Sequence, residues 1–107
     1  MALTDEWLNG AREDLNSELE YVCSEFGVQY AEKAFHKVVD AIDTLRQFPR
    51  LGKCFFDVTY REREVRTFSI KQTSIIYCDM GEVLLIIAIW NNRRDDKNIK
   101  AMIQSRQ

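Results

Sequence analysis

The chain contains one stretch of eight consecutive apolar residues, Val83-Leu84-Leu85-Ile86-Ile87-Ala88-Ile89-Trp90, which is followed by Asn91-Asn92-Arg93-Arg94. A half-exposed strand would turn alternate side chains into water, so an unbroken apolar run indicates a segment that is covered on both faces. A buried helix segment is the alternative, but the β-branched content and the turn residues Asp79 and Gly81 before the run favour a central strand. Such a strand would hold the two following arginines at a fixed place, where they could bind a phosphate or a carboxylate.

Three further segments have the length and the β-branched or aromatic composition of strands. They are Phe55 to Tyr60, Val65 to Ile70 and Thr73 to Cys78. The connections between these segments are short and polar, and Asp79-Met80-Gly81-Glu82 is predicted to form a hairpin turn. Short connections join antiparallel neighbours, so these segments predict a mainly antiparallel sheet.

Two amphipathic helices are predicted before the strands. The first begins after Thr4 or Asp5, which are good N-cap residues, and ends at Gly27, which suits the left-handed position after a helix. The second ends before Pro49, because the residue before a proline is pushed out of the helical conformation. Since only a few residues around Gly27 join them, the two helices should form an antiparallel hairpin.

The apolar stripes of these helices need a surface to cover, and the sheet supplies it. The stripes recur at spacings of three and four and consist of Leu8, Ala11, Leu15, Leu19, Val22 and Phe26, then Ala31, Ala34, Phe35, Val38, Ala41, Ile42, Leu45 and Phe48. We expect Leu15, Phe35 and Leu45 to face the sheet. Asp95 or Asp96 could cap a short C-terminal helix that carries Ile99, Met102 and Ile103. The predicted fold class is α+β, a single domain over residues 1–107 with an N-terminal helical hairpin on one face of a small sheet of about four strands.

Composition excludes several classes of protein. No apolar run approaches the roughly 20 residues of a membrane span, and the start of the chain has no basic segment followed by an apolar one, as a secretory signal would. The three cysteines are odd in number and lack CxxC spacing, which favours reduced thiols in a cytosol over a disulfide framework or a zinc site. We therefore expect a cytoplasmic protein with no membrane contact and no metal or cofactor.

Charge is unevenly distributed along the chain. Residues 1–50 carry 5 Lys and Arg against 10 Asp and Glu, a balance of −5, whereas residues 51–107 carry 10 against 7, a balance of +3. One interpretation is that two solvated helices are simply acidic. The other is a basic sheet face backed by acidic helices, which would orient the molecule towards a polyanion.

Few residues offer catalytic chemistry. The only histidine, His36, lies at the edge of the second helical stripe, where a lone histidine is usually a boundary residue. No serine lies in a G-x-S-x-G context, and no glycine-rich loop could hold a nucleotide phosphate. What remains is cationic, and the candidates for contact with an anion or a partner are Arg61, Arg63, Arg66, Lys71, Arg93 and Arg94, with Tyr60 and Tyr77 nearby in the same strands. A charged hairpin edge or self-paired surface charges would explain the same residues without a function.

The order and spacing of these features resemble the RelE/ParE superfamily, the toxins of type II toxin–antitoxin (plasmid stabilisation) modules. The matching residues run from about residue 4 to 96 and are Ala11, Asp14-Leu15, Tyr21, Phe26-Gly27, Ala31, Phe35, Ile42, Leu45, Phe48-Pro49, Gly52, Ile75-Ile76-Tyr77, Ile87-Ala88-Ile89-Trp90 and Asn92-Arg93-Arg94-Asp95. The resemblance implies two helices against a curved antiparallel sheet and an antitoxin as partner. The family's first strand, which precedes the first helix, would be reduced here to at most Met1 to Thr4.

The resemblance implies two possible activities. ParE-like members poison DNA gyrase, and RelE-like members cleave mRNA on the ribosome without a metal. Nuclease members usually have an arginine where this chain has Ser74, and no His or Tyr follows the last strand here, so the usual general acid and base are missing. We therefore predict a ParE-like toxin that binds its antitoxin or target through Arg61, Arg63, Arg66, Trp90, Arg93 and Arg94. The five arginines are expected to line one groove, in which an acidic and apolar segment of the antitoxin docks. The alternatives are a RelE-like mRNA interferase using Arg66, Lys71, Arg93 and Arg94, or a member without toxicity that only binds its antitoxin.

Overall fold

The computed structural model describes residues 2–94 and 97–107, without the side chain of Phe56. In chain order the elements are β1 (Thr4–Trp7), α1 (Asn9–Phe26), α2 (Val28–Gln47), β2 (Lys53–Tyr60), β3 (Arg63–Ile70), β4 (Thr73–Asp79), β5 (Val83–Asn91) and α3 (Lys97–Ser105). The predicted helices and strands are therefore present, and the fold class is α+β as expected. The predicted capping of α3 by Asp95 or Asp96 lies outside the described residues.

Five strands form one sheet in the order β1-β5-β4-β3-β2. β5 lies between a parallel neighbour, β1, and an antiparallel neighbour, β4, and its residues from Leu84 to Trp90 are all buried. The prediction of a central strand is thus confirmed. The pairs β2–β3, β3–β4 and β4–β5 are antiparallel, as the short connections predicted.

The strand β1 corrects the predicted start of the first helix. It pairs residue by residue with the first half of β5, so Thr4 and Asp5 belong to a strand and do not cap a helix. Leu8 is the N-cap residue of α1, and its side chain makes no capping hydrogen bond. Exposure alternates along β1, and Trp7 packs against the core under the helical hairpin. Main-chain pairing with the edge of β5 therefore determines the conformation of Thr4 and Asp5, although both residue types are favoured as helix N-caps.

The helical hairpin contacts the sheet mainly at its base. α1 and α2 meet at Gly27, whose φ of 98° favours glycine. The buried residues lie in the first half of α1 and in the second half of α2, and they are Ala11, Leu15, Val38, Ile42 and Leu45. The tip of the hairpin around Gly27 is much more exposed than the base.

Leu15 and Leu45 pack against the sheet as predicted, but the prediction for Phe35 is wrong. Leu45 is fully buried, whereas 42% of Phe35 is exposed. The Phe35 ring stands edge-on to His36, at 5.8 Å between centroids. Phe26 and Phe48, which the helical spacing also assigned to the stripes, are more exposed still. The apolar period continues past the part of the hairpin that contacts the sheet, so spacing alone overestimates the core.

Each face of the sheet has its own hydrophobic core. The hairpin residues pack against one face, on Ile75, Tyr77, Leu84, Ile86 and Ile89. On the other face Ile99 and Ile103 of α3 pack with Val58, Tyr60, Val65, Ile76, Cys78, Leu85, Ile87, Ala88 and Trp90. β4 and β5 are apolar on both sides because both sides are covered. The described residues include no helix that is both long and apolar enough to cross a membrane.

Candidate interaction surface

The predicted cationic residues divide between the two ends of the sheet. Arg61 and Arg63 lie at the β2–β3 turn, whereas Lys71 lies at the β3–β4 turn and Arg93 and Arg94 follow β5. β3 has 8 residues, so the two ends are about 24 Å apart at roughly 3.4 Å per residue. The predicted arginines therefore do not line a single groove. Whether either end binds a partner stays a prediction.

The guanidinium group of Arg66, in the middle of β3, is bound by other groups of the protein. Its Nη1 donates to the carbonyl oxygens of Arg50 at 3.2 Å and Gly52 at 2.7 Å. Its Nη2 lies 2.6 Å from a carboxylate oxygen of Glu64. These contacts fix the loop between α2 and β2, and a phosphate could reach the guanidinium group only by competing with them.

Tyr77 of β4 fixes the same loop. Its hydroxyl group donates to the carbonyl oxygen of Pro49 at 2.7 Å and accepts from the N–H of Gly52 at 2.9 Å. A Cβ atom at position 52 would lie 2.5 Å from that hydroxyl oxygen, so only glycine permits this approach. Burial raises the pKa of Tyr77, so its hydroxyl group stays protonated at neutral pH.

Ser74 and Trp90 are both buried. The Ser74 hydroxyl group donates to Oδ1 of Asn92 at 2.7 Å and shares a hydrogen bond with Ser69 at 2.9 Å. An arginine at this position would therefore place its charge in a buried site. Only 3% of Trp90 is exposed, and the guanidinium carbon of Arg94 lies 5.3 Å from its ring centre. Trp90 is a core residue that contacts Arg94, and its predicted role in binding a partner has no support in this position.

Arg93 is held by α1. Its Nη1 donates to the hydroxyl oxygen of Tyr21 at 3.2 Å, and its guanidinium carbon lies 5.9 Å from the Tyr21 ring centre. The backbone N–H of Arg93 donates to Oδ1 of Asn91, whose amide group donates to Glu18. Arg93 is therefore exposed but positioned, at the same end of the sheet as the tip of the hairpin.

A cleft of about 450 Å³ opens at this end, between the tip of the hairpin and the β3–β4 turn. Its apolar lining includes Leu19, Val22, Phe26, Tyr30, Ala34 and Ile70. More than half of each of the Phe26 and Tyr30 side chains is exposed, and their ring centroids are 6.1 Å apart. A concave surface with exposed aromatic rings is typical of a site that binds another protein segment.

Three lysines border the cleft, and we call them the lysine rim: Lys33 and Lys37 on α2, and Lys71 in the β3–β4 turn. Lys71 lowers the pKa of Lys37, because it favours the neutral amine as a hydrogen-bond acceptor and repels the charged form. Lys71 has a φ of 54°, which is uncommon for a residue with a side chain. Carboxylates would relieve the repulsion between these ammonium groups, so the rim favours an acidic ligand.

Lys33 and Lys37 were not among the residues predicted from the sequence, because charged residues on an amphipathic helix usually lie on its solvated face. The available signal is their spacing of four residues, which places both on one face of α2. Tyr30 precedes them at a helical spacing and brings an aromatic ring to the same region. An exposed aromatic residue beside two lysines on the same face of one helix could have indicated the cleft.

The two side chains most suited to proton transfer are not free beside the arginines. His36 is exposed on α2 and contacts the Phe35 ring, while the Tyr77 hydroxyl group holds the loop before β2. Residues 2–94 and 97–107 contain no cluster of three His, Cys, Asp or Glu side chains that could hold a metal ion. Neither His36 nor Tyr77 is therefore placed for acid–base chemistry beside the arginines.

Residues 6–96 match the sequence model of the family described as ParE toxin of type II toxin-antitoxin system, parDE. The chain belongs to the ParE toxin family. It is similar to Toxin ParE3 of Caulobacter vibrioides, with 31% identity over 80 residues that make up 75% of this chain and 77% of that protein. A solved structure described as the chromosomal ParDE TA system from P. aeruginosa has a similar fold, with a TM-score of 0.70 and 20% identity over 84% of this chain and 96% of that chain.

The ParE match confirms the superfamily and the ParE-like branch that the sequence predicted. It covers α1, α2 and β2 to β5, so the cleft and the lysine rim lie within the matched residues. α3 lies beyond the matched residues.

Proposed function

We propose that this ParE-family protein is a toxin that a cognate antitoxin neutralises, and that it acts in the bacterial cytoplasm by binding DNA gyrase. The observation that supports a binding mechanism is the internal use of Arg66 and Tyr77, which hold the loop between α2 and β2. RNA cleavage needs a cation on the phosphate and groups that accept and donate a proton beside it, and within the sheet Arg66 is the nearest candidate for the phosphate contact and Tyr77 for the proton transfer. Gyrase as the target rests on the resemblance to ParE-like toxins.

We propose that the antitoxin binds in the cleft. An amphipathic segment of the antitoxin would cover the exposed rings of Phe26 and Tyr30, and its carboxylates would pair with the lysine rim. Arg93 and Arg94 lie at the same end of the sheet and would extend the positive surface. The predicted contact through these two arginines is thus retained, while Arg61 and Arg63 would lie outside the antitoxin site.

Expression of the chain without an antitoxin tests the mechanism. We expect growth arrest, inhibition of supercoiling by purified gyrase in the presence of the purified chain, and intact messenger RNA by primer extension. Discrete cuts in translated messages would contradict the proposal if they disappeared in an Arg66→Ala variant whose circular dichroism shows a folded protein. That outcome would favour an mRNA interferase.

Charge reversal at the two ends of the sheet tests the antitoxin site. The Lys37→Glu/Lys71→Glu variant should bind the antitoxin about tenfold more weakly and with a smaller dependence on salt, because attractive pairs are lost. The matched control, Arg61→Glu/Arg63→Glu, changes the net charge equally at the opposite end and should bind within about threefold of the wild type. Equal weakening by both variants, or weakening by the control alone, would contradict binding in the cleft without bearing on gyrase.

A further inference from the structure

The outer edge of β5 loses its neighbouring strand halfway along. β1 pairs with β5 only as far as Trp7 and Ile86, and Leu8 then donates its N–H to the carbonyl oxygen of Ile86 as the chain turns into α1. Within the described residues no strand continues this pairing along β5 from Ile87 to Asn91. An open edge of this kind normally presents free N–H and C=O groups to other chains.

Two side chains occupy this edge in place of a strand. The N–H of Ile89 donates to Oδ2 of Asp14 at 3.2 Å, and Nη1 of Arg106 donates to the carbonyl oxygen of Ile87 at 2.9 Å. Asp14 and Arg106 also bind each other through two parallel hydrogen bonds of 2.7 and 3.1 Å. About one fifth of each side chain is exposed, so the pair is largely shielded from water.

Gly10 makes room for this arrangement. Arg106 follows α3 on one face of the sheet, and Asp14 lies on α1, which packs on the other face. A Cβ atom at Gly10 would lie 2.7 Å from both Cζ and Nε of Arg106. Glycine is unfavourable in a helix, and its presence in the first turn of α1 is explained by the guanidinium group of Arg106, which lies directly against the backbone there.

We infer that Asp14 and Arg106 together replace an edge strand and prevent β5 from pairing with β5 of a second copy of this chain. The polarity of the two side chains matches the strand, since the carboxylate accepts where β5 offers an N–H and the guanidinium donates where β5 offers a carbonyl oxygen. The segment Ile87-Ala88-Ile89-Trp90-Asn91 carries no charge and favours the strand conformation. Two copies could therefore pair antiparallel along this edge once it is opened.

Substitution of the pair tests the inference. In Arg106→Ala and Asp14→Ala we expect a concentration-dependent dimer by light scattering, and exchange of the Ile89 amide hydrogen at least about tenfold faster in the monomer at low concentration. Arg12→Ala, at an exposed position on α1, is the matched control and should remain monomeric. Should either alanine variant fail to fold, Gly10→Ala gives the same information, because it displaces the guanidinium group while keeping both charges.

The exchanged pair, Asp14→Arg with Arg106→Asp, separates edge closure from a simple ion pair between helices. It keeps one charge of each sign at this edge, but a guanidinium group at position 14 cannot accept from the N–H of Ile89 and a carboxylate at position 106 cannot donate to the carbonyl oxygen of Ile87. We expect the exchanged variant to dimerise like the alanine variants. The inference would be overturned if the exchanged variant were monomeric and its Ile89 amide hydrogen exchanged at the wild-type rate. It would also be overturned by a folded Gly10→Ala or Arg106→Ala variant that stays monomeric with an unchanged rate of amide hydrogen exchange at Ile89.

Discussion

Replacing Tyr77 by Phe removes one hydroxyl group and measures how strongly the loop between α2 and β2 is held. The substitution leaves the buried N–H of Gly52 without its acceptor and the carbonyl oxygen of Pro49 without its donor. A buried polar group that loses its partner costs about 1–3 kcal/mol, and the second hydrogen bond contributes about 0.5–1.5 kcal/mol. We therefore expect Tyr77→Phe to lower the free energy of unfolding by about 1.5–4.5 kcal/mol.

Urea unfolding followed by circular dichroism measures this change in free energy. Since each kcal/mol corresponds to about 4 °C or more in a domain of this size, the melting temperature should fall by at least ~6 °C. Tyr21→Phe is the matched control, since it removes the same group from an exposed ring, where the hydroxyl oxygen accepts a hydrogen bond from Arg93. Its effect should stay below about 0.5 kcal/mol.

An unchanged unfolding midpoint for Tyr77→Phe would refute the reasoning. It would mean that the hydroxyl group does not hold the loop and is available for proton transfer beside Arg66. The main physical support for a binding mechanism would then be lost, and cleavage of RNA would need to be tested with Tyr77→Phe itself.

Three further predictions concern stability. Leu45→Ala should lower the free energy of unfolding by about 2–5 kcal/mol because the side chain is fully buried, whereas Phe35→Ala should lower it by less than ~1 kcal/mol, both by urea unfolding. Burial raises the pKa of Cys78 to about 11, above the roughly 8.5 of a free thiol. The protonated thiol therefore contributes its full share to the free energy of unfolding below about pH 8.5. That share declines towards pH 11, because the unfolded chain loses the proton first. That decline should be smaller in Cys78→Ala, measured by urea unfolding across this pH range. Gly27→Ala should cost about 1–3 kcal/mol, because the φ of 98° and ψ of 167° at this position are a conformation that essentially only glycine adopts, while a Cβ atom there meets no neighbour.

The sequence predicts the centre of this fold better than its borders. The apolar run from Val83 to Trp90 must be covered on both faces, and this requirement alone indicates neighbours on both sides and layers above and below. β1 could not be found in the same way, because four residues with the composition of Thr4–Trp7 are too short and too polar to show a period. Thr4 and Asp5 also resemble helix caps, and only their pairing with β5 decides between the two structures.

The position of Phe35 shows a different limit. Helical spacing identifies one face of α2, but it does not say how far along the helix that face touches the sheet. Val38, Ile42 and Leu45 are buried, whereas Phe35, one turn earlier, lies where the hairpin leaves the sheet. The angle between the helical hairpin and the sheet depends on side-chain contacts from both layers, so it cannot be inferred from the sequence of α2 alone.

The arginines were predicted as one group because their residue type and their places next to strands are alike. Neighbouring antiparallel strands run in opposite directions, so the start of β3 and the end of β5 lie at opposite ends of the sheet. Following this alternation from Arg63 to Arg93 would have separated them from the sequence alone. The internal contacts of Arg66 could not be inferred, because they involve carbonyl groups of a loop whose path depends on tertiary packing.

The net charge of a segment does not show which of its charged side chains are available to a binding partner. Residues 1–50 have an excess of acidic residues, which suggested acidic helices behind a basic sheet. Yet Asp14 is bound to the edge of β5 and Glu18 to the side-chain amide group of Asn91 at its end. Lys33 and Lys37, from the same hairpin, border the cleft. The carboxylates are partly used within the fold and the ammonium groups are left beside exposed aromatic rings. An acidic segment should therefore approach the helical hairpin itself, on the half of the chain whose net charge is negative.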